Sequence, residues 1–107
     1  MGCRLGLIDY GMGNMHSVQQ AFGRLQRPLS IVREPKDLEE CDALVLPGVG
    51  AFDPAMHQLH KTELVPYLKR WATANKPLLG ICLGLQLFFE VSDEGSEPGL
   101  GLLKGAV

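Results

Sequence analysis

Short, continuous apolar runs alternate along this chain with segments whose apolar residues recur at helical spacing. Arg4-Leu5-Gly6-Leu7-Ile8-Asp9 predicts a first buried strand. A glycine-rich turn, Tyr10-Gly11-Met12-Gly13-Asn14, follows it, and Met15, Val18, Ala21, Phe22 and Leu25 then line one helix face, with Asn14 suited to cap the helix start. Leu29 to Val32 predicts a second strand, Pro35 to Cys41 an acidic connector, and Ala43 to Leu46 a third, strongly apolar strand that ends at Pro47-Gly48-Val49-Gly50. Asp53-Pro54 opens a short helix through about Leu59, and Leu64, Val65, Leu68, Trp71 and Ala72 mark the stripe of the next. Pro77 to Ile81 predicts strand four, running at Cys82 into another helix. Trp71, Phe88 and Phe89 read as packing residues on helix faces turned to the sheet. The tail from Ser92 is turn-rich at Gly95 to Gly99, with a further strand expected to begin within Leu100 to Val107.

Apolar strands alternating with helices predict an α/β fold: an open, mostly parallel sheet with helices on both faces and right-handed crossovers. Ligands of such sheets gather outside the carboxyl ends of the strands, near the reversal of strand order. Three loops are expected to face one cleft there: Tyr10 to Asn14, Pro47 to Phe52, and the corner at Cys82. No internal repeat or interdomain linker interrupts the pattern, so residues 1–107 read as one domain or part of one.

Composition narrows the partners. Hydrophobic content is 46%, charged content 21% and the formal charge −2, so no excess of positive charge attracts nucleic acid or anionic lipid. No apolar run approaches the roughly 20 residues needed to cross a bilayer, and the first ten residues lack the apolar core of a secretory signal; a cytoplasmic setting without a membrane partner is expected. Cys3, Cys41 and Cys82 are odd in number and widely spaced, which argues for reduced thiols rather than a disulfide framework or zinc site. The opening Met-Gly-Cys is discounted as a lipidation signal because Gly6 stands where Ser or Thr is needed. His57 and His60, three apart on a helix without a third ligand, read as a solvated face, and neither metal nor cofactor is expected.

The chemistry concentrates at Pro77 to Gln86, where Cys82 lies between Gly80 and Gly84 as an apolar strand hands over to an apolar helix. That is the pattern of a nucleophile elbow: residues two before and two after a side chain on so cramped a turn must be small. Unpaired N–H groups at the helix start, with its dipole, would favour negative charge at the sulfur and hold an oxyanion. The same residues also fit a buried structural cysteine at an ordinary turn. A flavodoxin-like phosphate- or flavin-binding domain, or a redox cysteine, remain other uses of such a sheet; no G-x-G-x-x-G follows strand one and no Walker sequence occurs.

Ile8-Asp-Tyr-Gly-Met-Gly-Asn14, Leu46-Pro-Gly-Val-Gly-Ala-Phe52 and Gly80-Ile-Cys-Leu-Gly-Leu-Gln-Leu-Phe-Phe-Glu90 together resemble the class I glutamine amidotransferases, and most narrowly their glutaminase-subunit branch in imidazole glycerol phosphate synthase. The resemblance implies the flavodoxin-like amidotransferase fold, with Cys82 attacking the carboxamide of L-glutamine to release ammonia. It implies an oxyanion hole from the N–H of Leu83 and of Val49 or Gly50, and glutamine contacts from Gly48, Gly50 and Gln86. It further implies heterodimer formation with a (β/α)-barrel cyclase subunit, which uses the ammonia in histidine biosynthesis to give imidazole glycerol phosphate and an aminoimidazole carboxamide ribotide. Tyr10, Gly11 and Asn14 would then lie on a loop facing that partner. An amidotransferase of another pathway is the alternative within the family. The histidine base and its acidic partner lie well downstream of the elbow in the family, whereas His16, His57 and His60 all precede Cys82 here. The chain therefore reads as the N-terminal portion of an amidotransferase domain, expected to turn over little glutamine alone and, with a sheet edge and helix faces uncovered, to be poorly soluble.

Overall fold

A computed structural model describes residues 4–106. Cys3 and the rest of the discounted lipidation signal lie outside the described residues, as does Val107.

Four parallel strands form the main sheet: β1 (Leu5–Ile8), β2 (Leu29–Val32), β3 (Ala43–Leu46) and β4 (Leu78–Gly80), in the order β2-β1-β3-β4. Leu5 pairs with Leu29 and Ala43, and Leu44 with Leu78. The register sorts the side chains. Partners across a parallel ladder share a face, so Ile8, Val32, Leu44, Leu46 and Leu78 point one way and Leu7, Ile31, Val45 and Leu79 the other.

The first face carries the core. Phe52, Ala55, Met56 and Leu59 from α2 (Phe52–Lys61), with Val65, Leu68 and Trp71 from α3 (Val65–Thr73), bury against Ile8, Val32, Leu44 and Leu46. Each fully buried large side chain there contributes roughly 1.5–3 kcal/mol of transfer free energy. Helix α2 starts one residue before the expected Asp53 and runs two past Leu59. The opposite face belongs to α1 (Met15–Arg24), because crossovers of one hand that step to opposite sides of β1 and β3 place their helices on opposite faces. Asn14 caps α1 as anticipated, its Oδ1 accepting from the Ser17 N–H at 3.1 Å. None of the α1 residues is fully buried, however, and Leu25 of the expected stripe is 71% exposed.

Three segments depart from the sequence reading. The connector after β2 is a 3-10 helix (Pro35–Glu40): Pro35 presets its first turn, and the Asp37 carboxylate accepts from the N–H groups of Arg33 and Glu34. The elbow helix, α4 (Leu83–Gln86), is a single turn. Beyond it β5 (Phe89–Val91) pairs in parallel with β6 (Leu103–Ala106) in a second, two-stranded sheet, so Phe89 lies on a strand rather than a helix. The Phe88 carbonyl accepts from Leu102 and Leu103 N–H at 2.7 and 2.9 Å, drawing an aromatic, strand-prone stretch away from the helix. Leu100 precedes β6 and is buried in the core.

Candidate active site

The reversal of strand order falls between β1 and β3, and the three loops singled out in the sequence meet there. Cys82 follows β4 with φ 54° and ψ −122°, a backbone conformation outside the allowed wells of L-residues. Such strain costs on the order of 1–3 kcal/mol and persists only where the surroundings enforce it. The flanking glycines explain how the turn closes. A Cβ on Gly84 would overlap the carbonyl oxygen of Leu46, and one on Gly80 would lie 2.6 Å from Leu85 Cα.

The two described cysteines occupy opposite environments. Cys82 is exposed, as an attacking sulfur must be, whereas Cys41 is buried and its Sγ lies 3.6 Å from the Asp37 carbonyl. Burial pushes the Cys41 thiol above its ordinary range, with Asp37, Asp42 and Glu40 adding to the effect. These facts remove the reading of Cys82 as a sealed structural cysteine.

The backbone around the sulfur differs from expectation. The Leu83 N–H, expected to stand open as an oxyanion donor, is engaged by the Gly48 carbonyl at 3.2 Å. Gly84 and Leu85 N–H donate to Ile81 and Cys82 carbonyls at 2.9 and 3.0 Å, so the first three N–H groups of α4 are all engaged. With one turn behind it, the sulfur also has less helix dipole than the sequence reading supposed. The cause is the loop after β3, which aims a carbonyl at the elbow. Val49 and Gly50 of that loop are exposed, Gly48 is buried, and Gly50 holds a φ of 99° open chiefly to glycine.

Tyr10, expected on an outward-facing loop, is turned inward. It is 4% exposed, and its hydroxyl donates to the Pro47 carbonyl at 2.6 Å, fixing the start of the β3 loop from below. Burial raises its pKa well above the ordinary tyrosine value. Gly11 and Asn14 remain exposed beside it. Gln86, one turn beyond Cys82, carries a buried Oε1 with no hydrogen-bond partner among the described residues.

A second brace was invisible in the sequence. Asp53, at the start of α2, accepts from Ser96 and Glu97 N–H at 2.9 and 3.0 Å and from the Ser96 hydroxyl at 3.2 Å, and these bonds, the Ser96 N–H foremost, lower its pKa. His57 and His60 lie on an exposed face as read from the sequence, His57 pairing there with Glu97 at 2.9 Å, and His16 is exposed as well. Hydrogen bonds spanning more than forty residues leave no trace in periodicity; the only hint was an Asp at a helix start. Among the described residues no group of three His, Cys, Asp or Glu side chains is placed to hold a metal, and no helix is long and apolar enough to cross a membrane.

Comparison with known proteins bears on this arrangement. Residues 6–95 match the family model described as "Glutamine amidotransferase class-I". The "Imidazole glycerol phosphate synthase subunit HisH" of Prochlorococcus marinus strain SARG is 66% identical over 103 residues, covering 96% of this chain and 48% of the relative. HisH 2 of Prochlorococcus marinus strain MIT 9313 is 70% identical over 104 residues, 97% of this chain and 49% of the relative. HisH 2 of Parasynechococcus marenigrum strain WH8102 is 65% identical over the whole chain and 50% of its own. The chain thus spans about half the length of the curated relatives it matches. A solved structure described as a glutamine amidotransferase superposes with a TM-score of 0.81 at 21% identity, over 95% of this chain and 54% of that one, a likeness of fold. With the elbow, the three loops and the family match in agreement, the chain belongs to the class I glutamine amidotransferases.

Proposed function

We propose that this chain carries the nucleophile half of a glutaminase site of the HisH type, which hydrolyses L-glutamine and hands ammonia to a cyclase subunit of imidazole glycerol phosphate synthase in the cytoplasm. One observation carries the reading: Cys82 is held exposed in a strained turn between Gly80 and Gly84, against the Pro47 to Gly50 loop. In the reaction Cys82 Sγ bonds to the carboxamide carbon of glutamine, the carbon–nitrogen bond breaks, and protonated nitrogen leaves as ammonia. Water then cleaves the thioester, releasing glutamate and restoring the thiol.

The oxyanion hole requires one rearrangement. Gly48 C=O and Val49 N–H belong to a single peptide unit, so rotating that unit turns away the carbonyl that engages Leu83 and brings the Val49 N–H toward the elbow. Leu83 and Val49 would then both donate to the oxyanion, each donor being worth about 3 kcal/mol of barrier. Val49 is thereby favoured over Gly50 as second donor, with Gly50 serving as a pivot. The buried Gln86 Oε1 would accept from the ammonium or amide of bound glutamine, beside Gly48 and Gly50. Gly11 and Asn14, exposed on the adjoining loop, would meet a (β/α)-barrel cyclase. Since no histidine follows His60, the general base comes from the part of the relatives' length that this chain does not span, and the chain alone turns over little glutamine.

A protein of the relatives' full length bearing these residues supplies the test. Cys82→Ser is expected to abolish glutamine-dependent synthesis while leaving the cyclase able to use ammonium salts, and a diazo-ketone analogue of glutamine is expected to label Cys82. Equal loss of both activities, or oxidation of Cys82 by peroxide without labelling by the analogue, would overturn the assignment.

A further inference from the structure

Away from the elbow, a groove of about 640 Å³ opens between the 3-10 helix and α3, within the range of small-molecule sites. Its floor is apolar: Leu38 and Trp71 are 8% and 7% exposed and belong to the core cluster. Its rim is cationic, with Lys36, Arg70 and Lys76 set against one carboxylate, Glu39. None of the elbow or loop residues lines it.

The cations are arranged unusually for surface residues. The Arg70 guanidinium lies 4.6 Å from the Tyr67 ring centroid and the Lys76 ammonium 4.4 Å from that of Trp71. Both charges lie over aromatic rings while remaining solvent-accessible, and neither forms an ion pair among the described residues. Among the described residues Lys36 has only a loose partner, Glu34 at 3.7 Å. The indole of Trp71 is fixed by its N–H donating to the Pro77 carbonyl at 2.8 Å, so the aromatic wall is ordered before any ligand arrives.

We propose that this groove binds small aromatic anions, a flat apolar body carrying one carboxylate or sulfonate. A bare phosphate would leave the Leu38 and Trp71 surface unfilled, and a neutral aromatic would leave Arg70 and Lys76 unpaired. An aromatic anion meets both demands.

The chain has one tryptophan, so the single indole N–H resonance in a heteronuclear NMR spectrum reports on the groove directly. Titration with naphthoate is expected to shift it, with affinity about tenfold above that of the neutral isostere naphthamide. Arg70→Gln with Lys76→Gln is expected to erase that preference, whereas Glu39→Gln, which removes the lone carboxylate, is expected to tighten naphthoate binding. Equal affinities for the two probes, shifts confined to residues remote from the groove, or unchanged binding by the double variant would overturn the proposal. If the double variant does not fold, failure of Glu39→Gln to tighten binding overturns it as well.

Discussion

At the scale of single residues, the site depends on what is missing at positions 80 and 84. The Leu46 carbonyl occupies the space that a Cβ on Gly84 would need, and because that carbonyl is backbone it has nowhere to retreat without opening β3 from the elbow. Gly84→Ala is therefore expected to destabilise the chain by about 1–3 kcal/mol, as overpacking does, readable as a lower denaturation midpoint. Gly23, whose Cβ would meet nothing within contact distance, provides the control: Gly23→Ala should be neutral or stabilising. The tight corner at Cys82 was legible in the sequence because G-x-C-x-G between a strand and a helix is a local pattern. The occupation of Leu83 N–H by Gly48 was not, since a carbonyl's direction is set by the path of a loop whose residues lie more than thirty positions away.

At the scale of elements, the four strands of the main sheet and the long helices emerged where periodicity predicted them, whereas the elbow helix stopped after one turn and β5 was not anticipated. Helix α4 yields after one turn because Phe88 to Val91 gains ladder bonds with the segment from Leu102, a competition between partners that a local reading does not weigh. The turn from Ser92 to Glu97 is then tied to the start of α2 by the Asp53 carboxylate. The sign of its pH dependence follows from the lowered pKa. Asp53 is ionised more readily when folded than when unfolded, so the tie is complete above the ordinary carboxylate range and is lost as pH falls through the lowered folded value. Hydrogen exchange at the Ser96 and Glu97 amides is expected to accelerate selectively in that acidic window. Asp53→Asn should remove this acid dependence while leaving the exchange of β1 and β3 amides unchanged.

At the scale of the whole molecule, the two faces of the sheet are unequally served. Helices α2 and α3 bury Ile8, Val32, Leu44 and Leu46 on one, whereas on the other Leu7 and Val45 are buried but Leu79 is 52% exposed, and Leu25 and Leu85 are exposed as well. An apolar surface of this kind drives association. Leu79→Lys is expected to raise the concentration at which the chain stays monomeric in sedimentation, without lowering its melting temperature by more than a few degrees, because Leu79 is already 52% exposed and a lysine stem can cover the same surface.

Order and type of the main elements, the parallel α/β class and the cysteine at the elbow were determined by the sequence alone, because each rests on spacing between near neighbours: alternation of apolar runs, glycines flanking a cysteine, an asparagine at a helix start. Tertiary structure decided which backbone groups face the sulfur, that Tyr10 supports the β3 loop from within, that Asp53 clasps a distant turn, and that a cation-rimmed groove opens beside Trp71. These depend on contacts between segments far apart in the chain, whose geometry is fixed only when the sheet has closed and each carbonyl and N–H has found its partner.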